Sequence, residues 1–184
     1  MKAIRTDAEA YEQGADFSVT IATAGRHPFL ADAMLVETCL IELKSAATKY
    51  AASVYAYCFM PDHLHLLTSV ASGTSLINFI RYFKQLTAYR FRRFADYEGT
   101  ALWQRRFYDH ALRREEHLSQ VADYIWANPV RAGLVSDASR YPYSGSLVWE
   151  VSFVSGSEDP DLQRAPPQLH VAVGEGLQTL ASPY

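Results

Sequence analysis

An α+β fold is predicted: a ferredoxin-like βαββαβ antiparallel sheet with helices on one face and an added C-terminal helix. Three observations carry the prediction. Segments of period two and period 3.6 follow one another as strand, helix, strand, strand, helix, strand, helix. Pro61-Asp62 divides one long apolar run into two strands close enough to form a hairpin. Two long amphipathic segments, residues 32–50 and 75–95, then link the strands.

Residues 1–15 are polar and unpatterned and are expected to be an N-terminal arm. Phe17-Ser18-Val19-Thr20-Ile21-Ala22-Thr23 alternates bulky and small side chains as a strand does, and Gly25 turns the chain. From residue 32 to 50, Leu35, Val36, Cys39, Leu40 and Leu43 recur at three and four residues, the stripe of a helix. "SVYAYCF", residues 53–59, reads as the second strand and residues 63–70 as the third. After the Ala71-Ser72-Gly73 turn, Thr74 or Ser75 can cap a helix. It should reach about residue 95, with Leu76, Ile77, Ile80, Phe83, Leu86, Thr87 and Arg90 on one side and basic residues on the others. Gly99 closes that unit. Residues 103–112 read as the fourth strand and residues 115–128 as a helix with acids in its first turn and Pro129 at its end. Residues 16–150 make one domain, and residues 151–184, which contain SFVSGSEDPDLQRAPP, are a linker and tail.

The chain of 184 residues is 49% apolar, enough for a sizeable core. No run approaches the roughly 18 uncharged apolar residues of a membrane span, and the first residues are too polar for a secretory signal, so a cytoplasmic protein without a membrane partner is expected. Cys39 and Cys58 each lie in an apolar periodic segment, which argues for buried thiols over a disulfide framework. A net charge of −3 argues against a nucleic-acid binder, but its distribution argues for one. Residues 79–114 hold nine basic residues against three acids. Such a local excess attracts phosphates, although a solvated helix face has the same composition.

The stretch "MPDHLHLL" carries the chemistry. Side chains two apart on a strand share a face, so His63 and His65 can converge on one ion while Leu64 points into the opposite layer. Histidines also sit satisfied in cores, and a lone pair does not decide between the two. A third donor lies in "DYIWANP", where Tyr124 and Asn128 are four apart on a helix. The amide oxygen of Asn128 would complete a site suited to Mg2+ or Mn2+, with Tyr124 beside it as a nucleophile. Alternatively Tyr124 packs its ring and Asn128 caps the helix end.

Three motifs, "YCFMPDHLHLL", "WQRRFYDHALRREEHL" and "YIWANPVRAGLV", stand in an order and spacing that resembles the REP-associated tyrosine transposases, relatives of the single-tyrosine HUH transposases of bacterial insertion sequences. The resemblance runs from about Asp16 to Glu150. It implies a single-stranded DNA endonuclease and strand transferase with His63 and His65 as metal ligands, Tyr124 as nucleophile on the added helix, and Asn128 as third ligand. The insertion-sequence relatives usually carry glutamine at that last position. It also implies cutting beside imperfect palindromic hairpins through a 5′-phosphotyrosine, by a monomer in preference to the helix-exchanged dimers of the insertion-sequence branch.

Arg81, Lys84, Arg90, Arg92 and Arg93 on the long helix, the Trp103-Gln104-Arg105-Arg106 segment and Arg131 are candidate DNA contacts, since arginines meet phosphates and exposed aromatics stack bases. Core packing is the alternative for Trp103. His110 is expected to be structural or close to DNA, and Asp62 to point to the opposite face from the histidines. No residue is marked as a general base for the phenol. Two rival readings remain: a non-catalytic hairpin-binding regulator with the same fold, and a metal-dependent hydrolase that uses water and has no role for Tyr124.

Overall fold

The structure, a computed structural model, describes residues 15–94, 101–113, 116–152 and 170–172. The proposed arm and nearly all of the linker and tail lie outside the described residues, as do Gly99, Arg114 and Glu115. Among the described residues, seven strands and four α-helices follow in chain order. They are β1 (Asp16–Ala22), α1 (Ala33–Tyr50), β2 (Ala52–Met60), β3 (His63–Val70), α2 (Leu76–Phe94), β4 (Tyr108–Ala111), α3 (Leu118–Trp126), α4 (Asn128–Arg131), β5 (Ser144–Gly145), β6 (Glu150–Ser152) and β7 (His170–Ala172).

Five strands form one antiparallel sheet in the order β4-β1-β3-β2-β5, and β6 pairs with β7 separately. The first four reproduce the expected βαββαβ arrangement. β5, two residues long, adds an edge strand that carries too little pattern to be read from sequence. Only Tyr108–Ala111 of the expected fourth strand pairs in the sheet, while Trp103 forms an isolated bridge with Thr23.

The sheet is packed on both faces. Phe17, Val19 and Ile21 of β1 and Leu64, Leu66 and Val70 of β3 meet α1 and α2 through Cys39, Leu43, Phe79 and Phe83. On the other face Ala56, Cys58, Met60 and Leu67 meet Ala122, Ile125 and Trp126 of α3. A bulge between Val54 and Ala56 in β2 lets Val54 face the first layer and both Tyr55 and Ala56 the second. Both cysteines are free and buried, as expected.

Local chemistry explains the helix ends. Asp32 caps α1 by accepting from Met34 N at 2.8 Å and Leu35 N at 3.2 Å. The third helix differs from expectation: it starts at Leu118, after the acids, and breaks at Ala127. Pro129 lies in the first turn of α4, where its missing N–H costs nothing, so it begins a helix instead of ending one.

Candidate active site

Alternation along β3 puts His63, His65 and Leu67 on the face covered by α3. The two rings meet edge to face at 4.6 Å, with their Nε2 atoms 3.0 Å apart. Each outer nitrogen is held. Asp62 accepts from His63 Nδ1 at 2.5 Å, and Thr20 Oγ1, directly across the ladder on β1, lies 3.1 Å from His65 Nδ1. Because a carboxylate only accepts, His63 donates from Nδ1, and in the neutral ring the lone pair is then on Nε2. His65 then has two choices: it donates from Nε2 to His63 while Thr20 donates to Nδ1, or it donates from Nδ1 to Thr20 and frees Nε2. A hydroxyl that both donates and accepts serves either tautomer.

Asp62 corrects the sequence reading. It lies in the two-residue turn between β2 and β3, outside the regular strand, so alternation does not fix its direction and its carboxylate turns to His63. Residues 23–31 clamp that turn. Thr23, fully buried, donates through N and Oγ1 to Asp62 O, each at 2.9 Å, and Leu30 N donates to Pro61 O at 2.9 Å. Arg26, held at φ 58° after Gly25 at φ 61°, reaches Asp62 Oδ2 at 3.2 Å. A side chain in that left-handed region costs about 1 kcal/mol or more, so the surrounding bonds must hold it there. Burial alone would push the Asp62 carboxyl up, but hydrogen bonds and charge from His63 and Arg26 bring it below its ordinary value. Burial, together with the charges of His63, Arg131 and Arg26, lowers His65 to about 4. His65 is therefore neutral near pH 7, the state a metal ligand requires.

The pair suits a divalent ion. The two Nε2 atoms, 3.0 Å apart and hydrogen-bonded to each other, are the pair's two nitrogen donors, and neutral imidazole nitrogens are common ligands of divalent ions. Among the described residues no cluster of three or more His, Cys, Asp or Glu forms, so a third protein donor at this pair would be of another type.

α3 brings the nucleophile candidate to the same face of the sheet. Tyr124 is 60% exposed and lies away from the buried Ala122, Ile125 and Trp126. Asn128 stands at the break between α3 and α4, where its Nδ2 donates to Tyr124 O at 3.1 Å and Ile125 O at 3.0 Å. Its Oδ1 accepts from Arg131 Nη2 at 2.7 Å, and the Arg131 guanidinium lies 3.8 Å from the centre of the Tyr124 ring. Asp123 has a buried Oδ1 without a hydrogen-bond partner among the described residues, and burial raises its pKa.

The candidate DNA contacts divide into three kinds. Arg81, Lys84, Arg92, Trp103, Gln104 and Arg105 line an open groove of about 620 Å³ between α2 and the segment before β4. Trp103 is only 6% exposed and donates from Nε1 to Thr87 Oγ1 at 2.7 Å, so it floors that groove from the core and presents no free ring face. Lys84 Nζ donates to Gln104 O at 2.7 Å and Arg105 O at 3.2 Å, tying the walls together. Arg106 is exposed, and Arg93 donates to Tyr89 Oη at 2.7 Å. Arg90 is exposed, but its Nε lies 2.9 Å from the buried carboxylate of Glu42, an ion pair that joins α1 to α2. His110 Nε2 pairs with Glu116 Oε2 at 3.0 Å, a structural role. The sequence reading missed Thr20, Arg26 and Tyr108. Tyr108 pairs with Thr20, shares the histidine face and is 56% exposed. Period-two alternation in β1 and β4 could have flagged Thr20 and Tyr108, whereas nothing local marks Arg26.

Residues 14–128, well over half of the chain, match the family described as "Transposase IS200 like". The chain belongs to the IS200-like transposase family. Over 110 residues it is 34% identical to a putative REP-associated tyrosine transposase of Haemophilus influenzae, covering 55% of this chain and 62% of the relative. Over 92 residues it is 28% identical to a REP-associated tyrosine transposase of Escherichia coli K12, covering 50% of this chain and 52% of the relative. The chain thus spans less than two thirds of the length of either relative. A solved structure described as a REP-associated tyrosine transposase bound to a REP hairpin superposes with a TM-score of 0.65 at 22% identity, over 78% of this chain and 82% of that one. The fold is therefore that of these transposases, and the resemblance stated from the three motifs holds. Among the described residues no helix is long and apolar enough to cross a membrane.

Proposed function

We propose that this transposase-family protein is a metal-dependent single-stranded DNA endonuclease and strand transferase that cuts and rejoins DNA beside palindromic hairpins. The observation that carries the reading is the anchored His63/His65 pair on the sheet face covered by the helix of the exposed Tyr124. His63, His65 and Asn128 would hold Mg2+ or Mn2+. The ion, when bound, would neutralise charge gathering on the scissile phosphate.

Every other part of the reaction falls to the chain. Tyr124 Oη attacks phosphorus, its proton passes to solvent water, and the bond from phosphorus to the 3′-oxygen breaks. The departing oxygen takes up a proton and leaves as a 3′-hydroxyl, while the 5′-phosphate stays on Tyr124 as a phosphodiester. One ester replaces another, so a second 3′-hydroxyl can reverse the step and join strands without ATP. Asp62 and Thr20 fix the imidazoles by their outer nitrogens, the arrangement that keeps metal-binding histidines oriented. Arg81, Arg92 and Arg105 form no ion pair among the described residues, which leaves the groove positive for a DNA backbone. Tyr108 offers a ring face to an unpaired base on the histidine side. A hairpin as substrate follows from the description of the solved relative, and a monomer is the reading adopted.

A labelled hairpin oligonucleotide with a single-stranded flank, incubated with Mn2+, should release a fragment ending in a 3′-hydroxyl, and His63→Ala should release none. Tight hairpin binding without release under any divalent ion would favour the non-catalytic regulator instead. Release that persists in Tyr124→Phe would point to a water-using hydrolase.

A further inference from the structure

Arg131 touches two of the three parts of the proposed reaction and bears electrostatically on the third. Its guanidinium lies 3.8 Å from the Tyr124 ring centre and donates to Asn128 Oδ1 at 2.7 Å. Its charge also contributes, after burial and His63, to lowering the basicity of His65. The spacing accounts for this: Tyr124, Asn128 and Arg131 are four and three residues apart, so they form one ridge across the joint of α3 and α4. Arg131 is exposed and pairs with no carboxylate among the described residues, so acidic neighbours do not hold it there. What it holds is the oxygen that the proposed function assigns to the metal.

We propose that Arg131 is an exchangeable cation: it occupies Asn128 Oδ1 and pins the Tyr124 ring in the metal-free protein, then gives up that oxygen when the divalent ion is bound and clamps the phosphate that Tyr124 attacks. The inference rests on the metal reading of His63, His65 and Asn128. Its physical basis is charge. A guanidinium and a divalent ion on one carboxamide oxygen stand a few ångströms apart, and their repulsion exceeds what a single hydrogen bond returns. The side chain released is planar, permanently charged and already beside the nucleophile, so a phosphate oxygen is its natural next partner. Metal loading and substrate clamping are thereby linked through one residue.

Arg131 should therefore oppose metal binding and favour cleavage. Calorimetric titration of Mn2+ into the full chain should give binding about tenfold tighter for Arg131→Ala and Arg131→Gln than for wild type, with Arg131→Lys close to wild type. In single-turnover cleavage of a labelled hairpin at saturating Mn2+, Arg131→Ala should be slower by about 100-fold. Unchanged or weaker Mn2+ binding in both neutral variants overturns the exchange, provided His63→Ala abolishes binding. Equal cleavage rates for wild type and Arg131→Ala overturn the clamp. If His63→Ala binds Mn2+ as well as wild type, the metal reading itself fails and the exchange falls with it. Thermal melts of each variant separate these outcomes from misfolding, which the exposure of Arg131 makes avoidable.

Discussion

Thr20 is a small residue with a demanding position. Its hydroxyl faces His65 Nδ1 across the β1–β3 ladder and must accept from that nitrogen when Nε2 is given to a metal. Thr20→Val keeps the shape and β-branching but cannot accept, so Mn2+ affinity should fall about 10- to 100-fold with little loss of stability. Calorimetry beside a thermal melt tests this, and unchanged affinity would remove Thr20 from the site. The charge balance at Arg131 has a comparable scale. A unit charge about 5 Å from a divalent ion is repelled by about 2 kcal/mol at the dielectric of water and about 7 kcal/mol at an effective dielectric of about 20, against the roughly 1.5–3 kcal/mol of a hydrogen bond with a charged donor. Asp123 behaves oppositely to Asp62. Burial raises its pKa above 3.8, so the folded state favours the protonated acid and loses stability as pH rises through the raised value. Asp123→Asn should melt about 2–4 °C above wild type at pH 7, with the gain fading below about pH 4. A lower melting point at pH 7 would contradict that sign.

Among the elements, the β2–β3 hairpin and the α3–α4 joint do most to set the site. The hairpin was legible in sequence because Pro61-Asp62 interrupts an apolar run and because His63, Leu64 and His65 keep strict alternation. What Asp62 does was not legible, because a turn residue has no face until residues 23–31 close over it. The α3–α4 joint was hidden for a related reason. Pro129 is compatible both with ending a helix and with beginning one, and only the packing of Ile125, Trp126 and Pro129 against the sheet decides. Arg90 shows the limit of reading charge along a helix. It belongs to a basic run, yet it answers the buried Glu42 of α1 and so joins α1 to α2. Arg90→Ala should cost about 1–3 kcal/mol in urea unfolding, since it leaves a buried carboxylate without its partner, and should change hairpin affinity little at a temperature where the variant is folded. A large affinity loss with unchanged stability would show that Arg90 meets DNA as well as Glu42.

The whole molecule separates its tasks between two faces of one sheet. One face is closed by α1 and α2 over the larger core, and the other carries the histidines, Thr20, Tyr108 and the Tyr124 helix. The outer side of α2 and the segment before β4 supply a basic groove in a chain whose net charge is −3. Local charge and not net charge should therefore govern DNA binding. Hairpin affinity is expected to fall steeply with salt, and Arg81→Ala or Arg105→Ala should each reduce the slope of log K against log salt by about 1. A flat salt dependence would exclude the groove as a backbone contact. The central claim is a covalent one, and a denaturing gel tests it most directly. Wild-type protein, a labelled single-stranded hairpin with its flanks, and Mn2+ should yield a labelled band at the mass of protein plus DNA, absent in Tyr124→Phe and in His63→Ala. Cleavage without that band, or a band that survives Tyr124→Phe, would contradict a phosphotyrosine at this position.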